Sequence, residues 1–506
     1  VSAIFIGVDS GTQGTKAVAI RGSNGAVIAE HSVSYGLIKN LPPGAKEQHP
    51  RTWVQAMEKC IKALLASTRV PASQVKGIGV SGQQHGLVVL NADGKVIRPA
   101  KLWCDTSTAA QARNLEKKMG GREALIRLTG NGLPAGFTAS KIQWLKDREA
   151  KHYAATKTIL LPHDYLNYHL TGRVTMEAGD ASGTGLFDSK TRNWCEPVIQ
   201  AIDSNLLEKL PEIQDADVPA GTLAPMLAKR LGLEAETIVS AGGGDNMMGA
   251  IGTGNTRTGV VTASLGTSAT LYAFSTRPVV DPQGEIAAFC DSTGGWLPLL
   301  CTMNGTVTTE SVRGLFKWNL TDFTNAAAKV VPGCDGVMML PYLQGERVPD
   351  IPEGRGVFFG LTPETMTSGH LARAAMEGTG MGLNYGLERM RDLGIRPKEI
   401  RLTGGGSANP VWRQILADIF DTEVVCLKNS EGAALGAAVQ AAWCWKRQQG
   451  ENVRIQHLTD EWIQVDSKTR AKPRKKEAKR YRALQSVFDE LSVASRPVFA
   501  NLASIG

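Results

Sequence analysis

Apolar and polar residues alternate in short bursts over the first ninety positions, the period of strands rather than helices. Strands are predicted at 3–8, 15–21, 26–34, 76–81 and 86–90. The turn Asn91-Ala92-Asp93-Gly94 closes the last of these as a hairpin signal. The period then lengthens, and helices are predicted at 50–67, 106–119, 138–149 and 197–210. Beyond residue 255 the pattern recurs, with strands at 258–265 and 270–274 and helices at 368–392 and 410–420. Strands in hairpins followed by strand–helix alternation mean an α/β fold with a mixed sheet in each half. The seam is expected near 250–258, where Gly249, Gly252 and Gly254 cluster, and these glycines are expected to act as a hinge.

Two turns stand out in this pattern. Gly11-Thr12-Gln13-Gly14-Thr15 follows the apolar run Ala3–Val8 and Asp9; Gly266-Thr267-Ser268-Ala269-Thr270 follows Gly259–Leu265. Each joins two strands. A turn of Gly, Thr and Ser exposes backbone N–H groups and hydroxyls without bulk, which suits a phosphate. One such turn alone is ordinary hairpin chemistry; the repeat is what points to a polyphosphate. Neither is a Walker A loop. Gly11 to Lys16 has the wrong spacing, and Ala17 stands where Ser or Thr is required.

Three further segments carry chemistry. Gly242-Gly243-Gly244 follows a strand-like run and precedes Asp245-Asn246 at the start of a helix, the place where α/β sheets bind ligands. Asp245 would serve equally as a plain helix cap. Ser81-Gly82-Gln83-Gln84-His85-Gly86 sets two amides and an imidazole between glycines, able to bond sugar hydroxyls or to hold structure. Gly404-Gly405-Gly406-Ser407-Ala408-Asn409-Pro410 leads into a helix, with Asn409 as N-cap and room for a nucleotide. Glu431 to Ala438 reads as a helix of small residues that must approach its neighbour closely, expected to be the nucleotide floor.

Composition narrows the class. In 506 residues, 42% hydrophobic and 21% charged content with 55 glycines is an ordinary globular balance. No run approaches a membrane span. The opening Val1-Ser2-Ala3 has no basic n-region, so no signal peptide is expected. The eight cysteines form no CxxC pair and read as buried free thiols of a cytoplasmic protein. The eight histidines show no metal-ligand spacing, and His163 and His169 read as helical. The net charge of +8 is concentrated at 468–482, read as the basic face of an amphipathic helix carrying Tyr481, Leu484, Val487, Phe488 and Leu491, rather than as a nucleic-acid tail.

Taken together the motifs resemble the FGGY carbohydrate kinases, within the actin, hexokinase and Hsp70 superfamily of paired ribonuclease-H-like domains. Phe137-Thr138-Ala139-Ser140-Lys141-Ile142-Gln143-Trp144-Leu145 resembles one family signature. Gly356–Leu361 followed by His370–Glu377 resembles the other, although the name-giving Phe-Gly-Gly-Tyr is not literal here. Leu161–Leu166, Asp180–Thr184, Leu340–Arg347 and Gly82–Gly86 are most similar to the xylulose-kinase branch, which carries Met where this chain has Gln84.

The resemblance implies an α/β fold of two ribonuclease-H-like domains with mixed sheets around a central cleft. Residues 1–254 would form a sugar-binding and catalytic-base domain and 255–506 a nucleotide-binding domain. It implies Asp245 as general base and Asp9 as the residue that positions Mg²⁺, through water. Thr12, Gln13 and Thr267 would contact phosphates, with Gly405 and Asn409 at the adenosine. Gln84, His85, Asp245 and Asn246 would hold the sugar. The expected activity is ATP-dependent phosphorylation of a ketopentose, D-xylulose at its terminal hydroxyl. A kinase for ribulose, a hexulose or a polyol, and a non-catalytic sugar sensor or nucleotide switch, stay open as alternatives. Sugar and ATP are the expected partners, with a homodimer as the assembly to test and neither nucleic acid nor membrane involved.

Overall fold

The computed structural model describes residues 3–429 and 432–505. Val1, Ser2 and Glu431, on which readings above fall, lie outside the described residues. The contacts divide the chain into two units that are not sequential. Unit 1 holds 3–257, 274–298 and 432–463; unit 2 holds 258–273, 299–429 and 464–505. The first break falls after Arg257. The return of 432–463 to unit 1 is the part that a sequential division at 254 misses.

The sheet of unit 1 is built from β1 (Ile4–Ser10), β2 (Gly14–Arg21), β3 (Val27–Ser34), β4 (Val75–Gly82), β5 (Gly221–Thr222) and β6 (Ile238–Val239), with the short β7 (Gly243–Gly244) also on β4. Its order is β5-β6-β4-β1-β2-β3. β1 runs parallel to β4 and antiparallel to β2. The sheet of unit 2 uses β8 (Val260–Leu265), β9 (Ala269–Ala273), β10 (Trp296–Thr302), β11 (Glu399–Thr403), β12 (Glu423–Leu427) and β13 (Val465–Ala471). Its order, β10-β9-β8-β11-β12-β13, and its strand directions repeat those of unit 1 strand for strand. The expected α/β class with two mixed sheets is therefore present, as a duplication.

The two faces of the unit 1 sheet differ in size. Ile4, Ile6, Val8, Ile78 and Val80 form one core with Trp53, Met57, Ile61 and Leu64 of the Pro50–Thr68 helix. Gly7, Gly77 and Gly79 alternate with them and leave the other face almost flat. Onto that face packs the Gly432–Gln448 helix. A Cβ on Gly7 would lie 1.9 Å from the Ala434 carbonyl oxygen, and one on Gly79 would lie 2.0 Å from that of Ala437. The helix of small residues does approach its neighbour closely, but the neighbour is this sheet. Its other partner is the Asp245–Gly252 helix: a Cβ on Gly436 would meet the Met248 oxygen at 1.8 Å, and one on Gly252 the Gly432 oxygen at 1.8 Å. Gly252, expected as a hinge, is helical and spent on this contact; of the three glycines Gly254 alone has positive φ.

Three expectations change in detail. The 197–210 helix stops at Ile202, because Asp203 is extended and its Oδ1 accepts from the Asn205 N–H at 2.9 Å. The basic segment divides into edge strand β13 and a helix that starts at Lys475. Arg470 pairs with Glu399 and Glu423, and Arg474 with Asp418 at 2.6 Å, so part of the charge is neutralised within unit 2. The buried face of that helix runs Ala478, Tyr481, Gln485, Phe488 and Ser492, while Val487 is exposed. Polar Gln485 is buried because it accepts from Asn384 Nδ2 at 3.1 Å on the Ser368–Asp392 helix. All eight cysteines are free thiols, with Cys104, Cys301 and Cys426 partly exposed rather than buried.

The packing predicts a sharp asymmetry between glycines. Gly79→Ala forces sheet and helix apart and should cost at least about 1–3 kcal/mol, a lower thermal midpoint. Gly36→Ala, where a Cβ meets nothing within 4 Å, should leave the midpoint in place. Equal midpoints for the two variants would contradict this packing.

Candidate active site

Three parallel strands of unit 1 end side by side, and each delivers one polar group. β1 ends in Asp9-Ser10, β4 in Ser81-Gly82 and β7 in Gly243-Gly244, followed at once by Asp245. The register sets Asp9 beside Ser81 and Ser81 beside Gly243. Ser81 Oγ donates to Asp9 Oδ1 at 2.7 Å. Asp245 opens the Asp245–Gly252 helix after the extended Gly244. Burial, then the charge of Asp9, pushes the Asp245 carboxyl up to about 7. Two repelling carboxylates in a desolvated corner beside a Gly-Thr turn are a donor set that fits a hard divalent cation such as Mg²⁺.

Asp245 continues into a row of amides. Asn246 Nδ2 lies 3.1 Å from both Asp245 Oδ1 and Gln84 Oε1, donating to each. Gln84 Nε2 is buried and has no hydrogen-bond partner among the described residues. An orphan donor in a dry site is costly unless a ligand oxygen meets it. His85 stands next, with its backbone in the left-handed region at φ 63°. Its Nδ1–H donates to the Gly183 oxygen at 2.7 Å, the carbonyl being able only to accept. The ring stacks on Phe137 with centroids 4.6 Å apart. Gln84, Asp245 and Asn246 are thus joined directly, and His85 follows Gln84 in the chain.

The first Gly-Thr turn is held more firmly than its composition suggests. Gly11 N–H donates to the Gly14 oxygen at 2.9 Å. The Thr12 hydroxyl donates to Gln83 Oε1 at 3.1 Å and accepts from the Trp103 indole at 2.9 Å. Gln48 Nε2 donates to the Thr12 oxygen at 2.7 Å, and Gln83 Nε2 donates to Gln48 Oε1 at 3.1 Å. Gln83 therefore braces this turn, so only one of the two adjacent amides belongs to the Asp245 row. Gln13 is exposed at the tip. Trp103 is 41% exposed yet bonded to Thr12, a wall residue that nothing in its local sequence marks.

In unit 2 the corresponding turn leaves Thr267 and Ser268 exposed between β8 and β9. The Thr306–Leu315 helix starts against it: Thr306 N–H donates to the Gly266 oxygen at 2.7 Å and Gly305 N–H to the Thr267 oxygen at 2.9 Å. A helix N-terminus beside hydroxyls suits an anion. The Gly405–Ala408 turn follows β11, which pairs with β8. A Cβ on Gly405 would meet nothing within 4 Å, so a flat group can lie against it. Asn409 Oδ1 accepts from the Val411 and Trp412 N–H groups, and its Nδ2 donates to Thr324 at 2.8 Å. Its amide is committed to capping and bracing the loop.

Several supporting residues come together only in three dimensions. His163 Nδ1 lies 2.5 Å from Asp180 Oδ2, and its Nε2 3.1 Å from Asp164 Oδ1, all fully buried. Burial alone would lower His163; the two carboxylates outweigh it and hold it up to about 10. These donor atoms lie within 4.8 Å of one another, a cluster that spacing along the chain does not reveal. With both ring nitrogens turned to carboxylates, the imidazolium itself is the cation here. Gln440, on the Gly432–Gln448 helix, reaches the loop before Asp245. Its Oε1 accepts from Gly242 N–H and Ser240 Oγ at 2.8 Å each, and its Nε2 donates to the Gly242 oxygen at 3.1 Å.

The chain has known relatives. Residues 4–252 match the N-terminal domain of the FGGY family of carbohydrate kinases, and residues 261–445 match its C-terminal domain. The chain is 40% identical to a xylulose kinase of Haemophilus influenzae, over 94% of this chain and 97% of the relative. A solved structure of a xyloylose kinase from Brucella ovis superposes with a TM-score of 0.90 at 27% identity, covering 98% of this chain and all 100% of that one. A gluconate kinase from Lactobacillus acidophilus shares the fold, with a TM-score of 0.92 at 24% identity over 99% of this chain and 100% of its own. With both domain models matched in order along the chain, the chain belongs to the FGGY family of carbohydrate kinases.

Proposed function

We propose that the protein transfers the γ-phosphoryl group of ATP to the terminal primary hydroxyl of D-xylulose, giving D-xylulose 5-phosphate and ADP. The observation that carries this reading is the hydrogen-bonded row Gln84–Asn246–Asp245, which ends in a buried orphan donor on one side and a carboxylate poised near neutrality on the other. Hydroxyl groups of a sugar would meet Gln84 Nε2 and His85, and the reacting hydroxyl would meet Asp245. As the sugar oxygen bonds to Pγ, its proton passes to Asp245 and the bond from Pγ to the β–γ bridging oxygen breaks. A carboxyl tuned to about 7 is a competent general base at neutral pH. Mg²⁺, held through water by Asp9, would offset the phosphate charge when bound. Thr12 and Gln13 in unit 1, and Thr267 in unit 2, would bind phosphates, with Gly405 and the loop braced by Asn409 taking the adenosine. Initial rates of ADP formation over a panel of pentuloses, hexuloses and polyols test the reading. D-xylulose should give the highest kcat/KM; a preference for another sugar would reassign the substrate.

Asp245→Asn should lower kcat by ~10²–10⁴-fold while sugar and ATP still bind, since the amide keeps the shape and loses the proton acceptor. Retention of more than half of kcat would remove Asp245 from the base role. The raised carboxyl also sets a pH limb with a definite sign. Asp245 is protonated below about 7 and becomes a base above it, so kcat/KM for the sugar should fall about tenfold per unit as pH drops below that point. A flat profile from pH 8 down to 5 would contradict the assignment.

His85→Ala should raise the KM for sugar while leaving that for ATP unchanged, because the imidazole edge is a sugar contact in this reading. Equal changes in both constants would place His85 outside the sugar site.

A further inference from the structure

Lys141 has no part in the chemistry above, yet it is fully buried and spends its charge on backbone. It sits one turn into the Thr138–Arg148 helix, the segment that carries a family signature in the sequence. Burial lowers its amine to about 7, against the pull of Asp105, and a cation so close to a helix N-terminus also opposes the helix dipole. It is also held away from water, with all three ammonium donors directed at carbonyl oxygens: His85 at 3.1 Å, Phe137 at 3.3 Å and Gly136. Two of these acceptors lie just before its own helix. The third, His85, is 56 positions away in the chain.

The same helical turn touches His85 in two more ways. Thr138 Oγ1 donates to the His85 oxygen at 3.1 Å. The Phe137 ring stacks on the imidazole. The His85 carbonyl thus receives two side-chain donors from one turn, and His85 is the residue with φ at 63°. A non-glycine residue in the left-handed region persists only where its surroundings hold it. On the far side of the ring, a Cβ on Gly183 would lie 2.4 Å from His85 Cε1, so the imidazole has no room to swing away while its backbone is pinned.

We propose that Lys141 is a positioning residue for sugar recognition: with Thr138 it clamps the His85 carbonyl, locks the left-handed backbone and so aims the imidazole edge at the sugar. This rests on the sugar-site reading of His85. The clamp acts on the carbonyl alone and through it on the ring, which stays in the Nδ1–H tautomer against Gly183 only while the backbone is held.

The test is a double-mutant cycle with Lys141→Met and His85→Ala in the full chain. Lys141→Met should raise the KM for sugar about 10–100-fold, the loss expected for a charge-assisted hydrogen bond, with the KM for ATP unchanged. In the His85→Ala background the same change should add nothing. Additive effects in the cycle would overturn the proposal. A second readout stands apart from activity. In protein labelled with ¹⁵N-histidine, the His85 ring signal should report a fixed Nδ1–H tautomer that becomes mixed in Lys141→Met; an unaltered signal would overturn the clamp. If His85→Ala leaves the sugar KM unchanged while Lys141→Met still releases the tautomer, the sugar-site reading fails and the clamp stands. Should Lys141→Met fail to fold, Thr138→Val removes the second donor to the same oxygen and is put through the same cycle and the same spectrum, with the same outcomes deciding.

Discussion

The close approach of backbone to backbone between the Gly432–Gln448 helix and the unit 1 sheet is the constraint on which the rest depends. Gly7 and Gly79 lie on the central strands β1 and β4, and any side chain there would collide with a helical carbonyl. Gly252 and Gly436 repeat the device between two helices. Packing at this distance leaves little freedom of rotation or translation, because interiors are dense and do not deform continuously. The ends of β1, β4 and β7 therefore hold one register, and Asp9, Ser81 and Asp245 are carried on them.

Gln440 turns that packing into chemistry. The helix that covers the sheet also lends an amide to Gly242, at the loop that delivers Asp245. A buried amide that satisfies both an N–H and a C=O of one glycine fixes the loop far better than solvent would. The general base of the proposed reaction is thus aimed by a segment almost two hundred residues further along. His85 shows the same logic on the other side of the site. Its orientation comes from Lys141, Thr138, Phe137 and Gly183, none of which adjoins it in sequence.

Electrostatics divides the acidic groups into two kinds. Burial first, and then the charge of Asp9, lift Asp245 toward neutrality, where a base is useful. Asp164 and Asp180 enclose His163 and hold it up to about 10, while burial pushes Asp164 up to about 7. Glu177 adds to the same cluster by accepting from the Gly179 and Asp180 N–H groups, and desolvation pushes its carboxyl up to about 8. The first pair lies beside the Gly-Thr turn; the second is gathered around His163, where His163 Nε2, Asp164 Oδ1 and Asp180 Oδ1 stay buried without a hydrogen bond among the described residues.

The strands and most helices were legible in the sequence because their signals are local: alternation in β1, β2 and β4, and the N-cap and proline ahead of Val411. The twin Gly-Thr turns, the glycines before Asp245 and the polar group at 83–85 could be found the same way, since they stand at strand ends in the local pattern, whereas the pairing of Gln84 with Asn246 could not. The chain by itself also demanded close packing of the 432–438 region, because a helix without side-chain volume must approach something. What it approaches was decided only by the tertiary structure: the sheet of unit 1, separated from it in sequence by most of unit 2. The division of labour between Gln83 and Gln84, the convergence of His163 with Asp180, and the hold of Lys141 on His85 were likewise invisible. The physical reason is common to all of them. A hydrogen bond or ion pair between residues distant in the chain leaves no period and no spacing, and it exists only once the backbone has brought both partners to the same few ångströms.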